Sequence, residues 1–316
     1  MSARYVIGVD GGGTKTQAVL AGADGRVLSW GTGGPANLNR VPLQQVRASL
    51  REAITGALGA DAGVPARAVG AVCLGIAGST GSEDVIRAAI SDLGLEAHVS
   101  VVSDVVIAFW AAIHGSFGAL VIAGTGSCAY GVSTARATTA VGGWGYLLGD
   151  EGSAYDIGRR GMMAALRAAD GRDEPTALLE ELLQSLQVDT PRAVVPRIYQ
   201  AAAGTTTDHI AGFAPVVATV AAAGDRVARS ILHSAGNELG LMAMAVIDAL
   251  SLRELEFDLA LSGGVFKAGP LVTKHLASRV LAAAPGARIF VSERPPALGA
   301  ARLALRDVGK DIEIVV

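Results

Sequence analysis

The pattern of apolar positions predicts that the chain opens with three short strands. Apolar residues dominate positions 5–10, 17–21 and 26–33, and each run is too short for an ordinary helix. The triplet Ala-Asp-Gly at positions 23–25 is typical of a hairpin turn. We therefore predict an antiparallel meander whose first turn, residues 11–16, is rich in glycine and threonine. A dinucleotide-binding βαβ unit would place a helix after its first strand, so this beginning is of another kind.

Helices and strands alternate over the next hundred residues. Residue Ser82 precedes one helical stretch and is a suitable N-cap for it. The strand that follows this helix ends on an acid, Asp104. The spacing of apolar residues predicts helices over 42–58, 82–93 and 105–113 and strands over 68–78 and 98–104.

The strand–turn–strand pattern of the N-terminus returns at residues 118–132, where an apolar run meets Gly-Thr-Gly-Ser. We interpret this repetition as two related halves of an α/β protein. The remaining pattern predicts a sheet that continues through 140–145, a long helix from about 152, a mostly helical region over 175–250 with its clearest helix at 225–250, strands over 255–266 and 287–293, and helices over 269–284 and 295–308.

Chain length and composition favour two domains. The 316 residues exceed what one compact core usually holds, and 51% of them are apolar, enough to bury two cores. We place the boundary near residue 115, which gives domains 1–115 and 116–316. The second domain contains the helical insertion, and we expect the last helix, 296–308, to pack back on the first.

Charge and targeting signals exclude several partners. The net charge is −3, and no dense basic block suggests nucleic acid. There is no apolar leader at the N-terminus and no run of about 18 apolar residues, so we expect a cytoplasmic protein without a membrane span. Cys73 and Cys128 form no CxxC pair, which fits a reducing compartment and argues against a cysteine-based metal site. The five histidines are scattered and form no HExxH pattern.

The turn after the first strand has the composition of a phosphate site. Three glycines let consecutive backbone N–H groups point at one anion, and the threonine hydroxyls add donors. Asp10, at the strand end, is a suitable Mg²⁺ ligand because hard cations take oxygen ligands. The pattern is not GxxxxGK[ST], which excludes a P-loop, while an ordinary tight hairpin remains an alternative. The turn consists of Gly11, Gly12, Gly13, Thr14, Lys15 and Thr16.

Two further turns repeat this composition. One follows the strand of the second half, and the pair indicates a cleft with a phosphate turn on each wall. The other follows the strand near 260, where bare backbone would let a nucleotide base or ribose approach, although a simple strand-to-helix connection is equally compatible. The turn of the second half comprises Gly124, Thr125, Gly126 and Ser127, and the turn near 260 comprises Gly263, Gly264 and Val265.

Four polar residues are candidates for binding or catalysis. Asp104 is either a helix N-cap or a general base for a hydroxyl beside the phosphate cleft. Asp150 and Glu151 lie in the glycine-rich segment 142–158, at the start of a predicted helix where the macrodipole favours acids. One of them could instead accept hydrogen bonds from a polyhydroxylated ligand. Asn37, in the loop after the third strand, is a turn former or a similar ligand.

Several segments, in this order, resemble the sugar kinase/actin/Hsp70 ATPase fold and, within it, the N-acetylglucosamine kinase family. DGGGTKT and AGTGS are similar to its two phosphate motifs, SDVVIAFWAA to the segment with the catalytic aspartate, SGGV to the adenosine motif and PALGAARLA to the closing helix. The segment GGWGYLLGDEGSAYDIG is similar, nearly residue for residue, to the family's hallmark. The resemblance covers essentially the whole chain and extends to the ATPase activators of benzoyl-CoA reductase and 2-hydroxyacyl-CoA dehydratases, which share the superfamily.

The resemblance implies a two-domain ribonuclease H-like fold with an interdomain cleft and an ATP- and Mg²⁺-dependent kinase that phosphorylates the 6-hydroxyl of N-acetylglucosamine or glucosamine. It assigns proton acceptance to Asp104 and sugar binding to Asn37, Asp104, Gly143, Trp144, Gly145 and Asp150. A homodimer is common for this fold. Three alternatives remain: a kinase for glucose or a muramic acid derivative, an ATPase that activates a redox partner, and a sugar sensor without turnover. Neither cysteine is placed as the activators' iron–sulfur ligands would require.

Overall fold

The computed structural model describes residues 4–59, 63–79, 81–200 and 206–316. The chain divides into two compact units, one made of Met1–His114 with Glu293–Val316 and the other of Gly115–Ser292. The strands are β1 (Tyr5–Gly11), β2 (Thr16–Gly22), β3 (Val27–Gly33), β4 (Val69–Ile76), β5 (His98–Val102), β6 (Gly118–Ala123), β7 (Ser127–Val132), β8 (Thr138–Gly142), β9 (Phe257–Ser262) and β10 (Ala287–Val291). The helices are α1 (Leu43–Leu58), α2 (Glu83–Ala88), α3 (Asp104–Ala112), α4 (Ala154–Ala169), α5 (Leu178–Leu186), α6 (Val194–Tyr199), α7 (Thr206–Ala211), α8 (Ala214–Ala222), α9 (Arg226–Ala249), α10 (Pro270–Ala283) and α11 (Pro296–Asp307).

The first unit contains a five-stranded mixed sheet in the order β3-β2-β1-β4-β5. β1, β2 and β3 are antiparallel neighbours, which confirms the predicted meander, and β4 and β5 continue the sheet parallel to β1. Successive side chains of a strand point to opposite faces. Ile7 and Val9 accordingly belong to a core with α1 and α2, while Val6 and Val19 belong to a core with α3 and α11. The unit is therefore a sheet covered by helices on both faces.

Close backbone contact joins α11 to its neighbours in the first unit. A Cβ atom added to Gly299 would lie 1.9 Å from the carbonyl oxygen of Ile107 in α3, and one added to Gly8 would lie 2.1 Å from the backbone nitrogen of Ala301. The buried guanidinium of Arg302 donates to the backbone carbonyls of Ile113 and His114, the latter at 3.1 Å. These bonds satisfy carbonyl groups just beyond the C-terminal end of α3, whose other end carries Asp104.

The second unit repeats the sheet of the first. Its strand order is β10-β9-β6-β7-β8, with β6, β7 and β8 antiparallel and β9 and β10 parallel to β6. Read from the opposite edge, this is the order of the first unit, so the prediction of two related halves is confirmed. The 24-residue helix α9 begins after Asp225, whose carboxylate accepts from the N–H of Ala228 at 2.9 Å, and buries its apolar face in the core of this unit.

The structure corrects three local predictions. The helix expected over 82–93 ends at Ala88, and a separate 3₁₀ turn follows over Ser91–Leu93. Ser82 has ψ near 16° rather than the extended value of an N-cap, so its hydroxyl does not cap α2. The sheet expected through 145 ends at Gly142, where φ becomes +76°. Part of the helical region 175–250, residues 201–205, lies outside the described residues.

No single helix among the described residues combines the length and the apolar composition that a membrane crossing requires. The segments Thr206–Ala222 and Arg226–Ala249, bent by 118° at their junction, meet that requirement together by length and composition only.

Gly299→Ala should destabilise the first unit by at least about 1–3 kcal/mol, because its Cβ would collide with backbone atoms of α3 that cannot rotate away. Gly115→Ala is the matched control, since a Cβ there would come no closer than 3.9 Å to the carbonyl oxygen of Phe117. Urea unfolding followed by circular dichroism measures both variants. Equal midpoints for the two would contradict the close packing of α11 on α3.

Candidate active site

The carboxyl ends of three parallel strands bring two acids to one edge of the first sheet. Asp10 of β1 is in register with Gly75 of β4, and Gly75 is in register with Val102 of β5. Asp104 follows Val102 by two residues and is the first residue of α3. Ligands of open α/β sheets bind at such an edge. Asp10 and Asp104 lie near enough for the charge of one to shift the pKa of the other.

Asp104 is an exposed carboxylate, and Ser103 occupies the N-cap position of α3. The strand predicted over 98–104 ends at Val102, so Asp104 is neither a strand residue nor the cap. Its Oδ1 accepts hydrogen bonds from Ser103 Oγ at 3.0 Å and from the backbone N–H of Val105 at 3.0 Å. Both bonds use the same oxygen, and they fix the carboxylate without burying it.

The carboxyl group of Asp10 has a raised pKa. Burial, followed by the negative charge of Asp104, raises its pKa from 3.8 to about 6, while Lys15 acts in the opposite direction. Since an acid with a raised pKa ionises at a cost in the folded state, its contribution to stability is present at low pH and lost as the pH rises from about 4 to about 6. A cation beside these two carboxylates would remove this cost.

The first glycine turn owes its glycines to close packing. A Cβ on Gly11 would lie 2.5 Å from Cδ1 of Ile76, and the N–H of Gly12 donates across the turn to the carbonyl of Lys15 at 3.0 Å. Thr14 and Lys15 are exposed. Thr16 is fully buried, and its hydroxyl donates to the carbonyl of Gly34 at 2.7 Å. In this structure the hydroxyl holds the neighbouring loop, whereas the sequence interpretation made it a donor to phosphate.

The loop after β3 lies against this turn. The N–H of Ala36 donates to the carbonyl of Gly12 at 2.9 Å, and Oδ1 of Asn37 accepts from the N–H of Asn39 at 2.8 Å. A Cβ on Gly78, just after β4, would lie 2.7 Å from Nδ2 of Asn39 and 3.3 Å from Oδ1 of Asn37. Asn37 is thus a turn former, as one sequence interpretation held, and its amide also lies at the edge that carries Asp10.

The second glycine turn, in the other unit, has the same construction. The N–H of Gly124 donates to the carbonyl of Gly126 at 2.9 Å, and Ser127 is buried with its hydroxyl donating to the carbonyl of Glu151 at 2.8 Å. The carbonyl of Gly124 accepts from the N–H of Ala154 at the start of α4, at 2.8 Å. The turn is therefore joined to the first turn of a helix, and its serine hydroxyl, like that of Thr16, holds a loop.

Asp150 lies inside this second turn. Its carboxylate packs on Gly126 and accepts from the backbone N–H of Ser127 at 3.2 Å and from that of Gly145. Burial is the largest influence on its pKa, which is raised; the Ser127 bond opposes the shift, and the charge of Glu151 adds to it. The helix-dipole interpretation of these acids is wrong, because α4 begins only at Ala154.

Left-handed backbone explains the composition of the segment 142–152. Gly142, Gly143, Gly145 and Gly152 have φ between +71° and +82°, a region that glycine enters without strain. Asp150 also has a φ of +62°, which aspartate tolerates better than most residues. The loop exposes large apolar side chains, with Trp144 74% and Leu148 81% exposed. The tryptophan is therefore presented to solvent in the second unit and is not part of its core.

Sequence reasoning did not assign the residues that hold the end of this loop. Asp156, in the first turn of α4, accepts from the N–H of Gly152 at 3.1 Å and from Nε of Arg160 at 2.8 Å. Arg160 also donates to Ser234 Oγ in α9 at 2.8 Å. A buried acid in a first helical turn, with arginine four residues later, was the available signal.

The third turn touches the second. Gly263 has a φ of +113°, and a Cβ there would lie 2.3 Å from the carbonyl oxygen of Ala123 and 3.0 Å from the nitrogen of Gly124. Gly263 and Gly264 are exposed. Val265, however, is only 6% exposed and belongs to the core of the second unit, so its predicted contact with a nucleotide is limited to its backbone.

The remaining titratable and metal-binding side chains lie elsewhere. His233 and His275, treated as scattered in the sequence, stack with ring centroids 4.1 Å apart, and burial, followed by the charges of His275 and Arg229, lowers the pKa of His233. Burial raises the pKa of the Cys73 thiol to about 12. Over residues 4–59, 63–79, 81–200 and 206–316, no three or more His, Cys, Asp or Glu side chains form a metal-binding group.

The sequence matches known proteins over most of its length. Residues 7–304 match the BadF/BadG/BcrA/BcrD ATPase family. The chain is 37% identical over 264 residues to an N-acetylmuramic acid/N-acetylglucosamine kinase of Clostridium acetobutylicum, covering 83% of this chain and 85% of that protein. It is 30% identical over 316 residues to an N-acetyl-D-glucosamine kinase of Dictyostelium discoideum, covering 96% and 99%.

A solved structure extends the comparison to the fold. A candidate N-acetylglucosamine kinase of Chromobacterium violaceum is 29% identical to the chain, covers 96% of this chain and 100% of its own, and superposes with a TM-score of 0.74. The predicted α/β fold of the sugar kinase/actin-like ATPase type is confirmed, as is the resemblance to N-acetylglucosamine kinases. The match over most of its length shows that the chain belongs to the BadF/BadG/BcrA/BcrD ATPase family.

Proposed function

We propose that this chain is an ATP-dependent kinase that transfers a phosphoryl group to the 6-hydroxyl of an amino sugar, N-acetylglucosamine or glucosamine. Its family and its relatives, an N-acetyl-D-glucosamine kinase among them, support the class of enzyme. The position of the phosphorylated hydroxyl rests on the resemblance described above. The observation that carries the proposal is the exposed carboxylate of Asp104 beside Asp10 and the first glycine turn.

Asp104 is the group that we assign to accept the proton of the sugar hydroxyl. Its Oδ1 accepts hydrogen bonds from Ser103 and Val105, and we assign proton acceptance to Oδ2. The reaction places modest demands on this base, because phosphoryl transfer depends mainly on positioning and on stabilisation of charge. The hydroxyl oxygen forms the new bond to phosphorus, the bond between the γ-phosphorus and the bridging oxygen breaks, and ADP leaves.

The acidic pair also fits a divalent cation. Burial and the nearby charge of Asp104 raise the pKa of the half-buried Asp10, and hard cations prefer such oxygen donors. We assign Asp10 to hold Mg²⁺, which when bound neutralises charge on phosphoryl oxygens. The exposed turn residues Thr14 and Lys15, with the amides of Gly11, Gly12 and Gly13, are assigned to the phosphates.

The second unit supplies the other assignments. We assign Gly124, Thr125, Gly126 and the backbone of Ser127 to phosphate, and Gly263, Gly264 and the backbone of Val265 to the nucleoside. The buried hydroxyls of Thr16 and Ser127 act by holding loops. Sugar binding is assigned to Asn37 and Asp104 of the first unit and to Gly143, Trp144, Gly145 and Asp150 of the second.

The choice of acceptor sugar is tested with the substrates that the relatives suggest. The Clostridium acetobutylicum relative is named for N-acetylmuramic acid as well as N-acetylglucosamine. An acidic muramic acid derivative is therefore the leading alternative acceptor. The activator alternative receives less support, because Cys73 is fully buried in β4 and its raised thiol pKa disfavours a thiolate ligand. A cytoplasmic homodimer stays a prediction.

The decisive experiment is an assay of ADP release with ATP and Mg²⁺. Parallel reactions contain no sugar, N-acetylglucosamine, glucosamine, N-acetylmuramic acid or glucose, and mass spectrometry of the product locates the phosphate. We expect turnover that requires an amino sugar. Turnover that is independent of any sugar would favour the activator alternative, and sugar binding without turnover would favour the sensor.

Asp104→Asn should lower kcat by about 10²–10⁴-fold while sugar binding is nearly unchanged, because the amide cannot accept the proton. The same variant should lower the pKa of Asp10 below its value of about 6, since the charge of Asp104 helps to raise it. Steady-state kinetics, sugar calorimetry and a carbon-13 NMR titration of the Asp10 carboxyl provide the three readouts. Full turnover would refute the assignment of the base, and an unchanged Asp10 pKa would refute the electrostatic coupling.

Asp150→Asn should raise the KM for sugar by about 10-fold or more, with little change in the KM for ATP, because a charged acceptor is lost. Asparagine suits this test better than alanine, since it tolerates the left-handed φ of +62°. Glu151→Gln is the matched control at the exposed neighbouring position and should change neither constant by more than about 2-fold. A normal sugar KM in Asp150→Asn would leave Asp150 with a purely structural role.

A further inference from the structure

Arg40 presents a guanidinium group to the first glycine turn, and neither the sequence nor the assignments above give it a role. It lies in the loop after β3, four residues beyond Ala36, whose N–H donates to the carbonyl of Gly12 in the turn. A Cβ added to Gly13 would lie 3.3 Å from Cδ of Arg40 and 3.6 Å from both its Nε and an Nη atom. The charged end of this exposed side chain therefore lies alongside the backbone of Gly13.

Two hydrogen bonds fix the loop that carries Arg40 to the turn, and a third lies within the loop. Thr16 donates to the carbonyl of Gly34 at 2.7 Å, and Ala36 donates to the carbonyl of Gly12 at 2.9 Å. The N–H of Arg40 itself donates to the carbonyl of Asn37 at 2.9 Å. These bonds hold the backbone of the loop against the turn and so place Arg40 where its side chain reaches Gly13.

The negative charge near Gly13 must be offset by a positively charged side chain if the turn is to bind phosphate. Asp10 and Asp104 place two carboxylates nearby, and Lys15 is a point charge on a flexible stem. A guanidinium offers several donors in a rigid plane, and it can contact two oxygens of one phosphoryl group at once. Arginine residues that neutralise a transferring phosphoryl group raise the rates of other phosphotransferases by large factors.

We propose that Arg40 binds phosphoryl oxygens of ATP at the first glycine turn and neutralises the charge that they carry during transfer. This inference rests on the proposed kinase function. The hydroxyl oxygen of the sugar bonds to the γ-phosphorus, the bond from that phosphorus to the bridging oxygen breaks, the proton passes to Asp104, and ADP leaves. Arg40 contributes charge and orientation and exchanges no proton. The alternative is that Arg40 binds the carboxylate of an acidic sugar instead.

The test compares Arg40→Met, Arg40→Lys and Arg47→Met with the unaltered chain. Arg47 is an exposed arginine of α1 in the same unit and serves as the control for loss of a surface charge. kcat and KM for ATP are measured with N-acetylglucosamine and with N-acetylmuramic acid, and calorimetry measures the binding of ATP and AMP. Circular dichroism verifies the fold of each variant, and Arg40→Lys remains informative if Arg40→Met does not fold.

We expect Arg40→Met to lower kcat/KM for ATP by about 10²–10³-fold, equally with every sugar that is accepted. Arg40→Lys should recover part of this loss, because it keeps the charge but not the planar donors. ATP binding should weaken far more than AMP binding, and Arg47→Met should stay within about 2-fold of the unaltered chain.

Other outcomes overturn the inference and separate it from the kinase proposal. A loss confined to N-acetylmuramic acid would assign Arg40 to the sugar carboxylate, and unaltered kinetics in Arg40→Met would remove its role while the kinase proposal stands. If the unaltered chain phosphorylates no sugar but binds ATP through Arg40, the kinase proposal fails and the phosphoryl contact remains. If the unaltered chain binds no ATP, both fail.

Discussion

In each half of this protein, a buried side-chain hydroxyl at the start of the second strand holds a loop against a glycine turn. Thr16 donates to the carbonyl of Gly34, and Ser127 donates to the carbonyl of Glu151. In both units the acceptor belongs to the loop after the third strand. An unpaired hydroxyl in such a place costs free energy, so each bond fixes a loop against a glycine turn. The repetition of this bond is direct evidence that the halves are built alike.

The position of the two acids in the first unit follows from the direction of its strands. Because β1, β4 and β5 are parallel, their carboxyl ends meet at one edge of the sheet. Asp10 and Asp104 both lie at this edge, although they are far apart in sequence. Helix α3, which presents Asp104, is held at its opposite end by the buried Arg302 of α11. The last helix of the chain is therefore bonded to the end of α3 that lies opposite Asp104.

Each unit contains a carboxyl group with a raised pKa. Burial, followed by the charge of Asp104, raises the pKa of Asp10, and in the second unit burial raises the pKa of Asp150, whose carboxylate accepts from two backbone amides. Proteins retain such groups where binding or catalysis requires them. Arg40 and Lys15 provide positive charge in the first unit, which makes its glycine turn suited to an anion despite the neighbouring acids.

The sequence by itself determined the elements, the duplicated sheet and the segments that carry the candidate site residues, because apolar periodicity and glycine turns are local signals. It also identified Asp10, Asp104 and Asp150 as notable acids. Only the tertiary structure decided which side chains are committed internally, since the bond partners of Thr16 and Ser127 lie 18 and 24 residues away. The burial of Val265, the exposure of Trp144 and the approach of Arg40 to Gly13 were likewise decided by packing between elements. A local pattern contains no information about such partners, because they depend on how loops meet across a folded sheet.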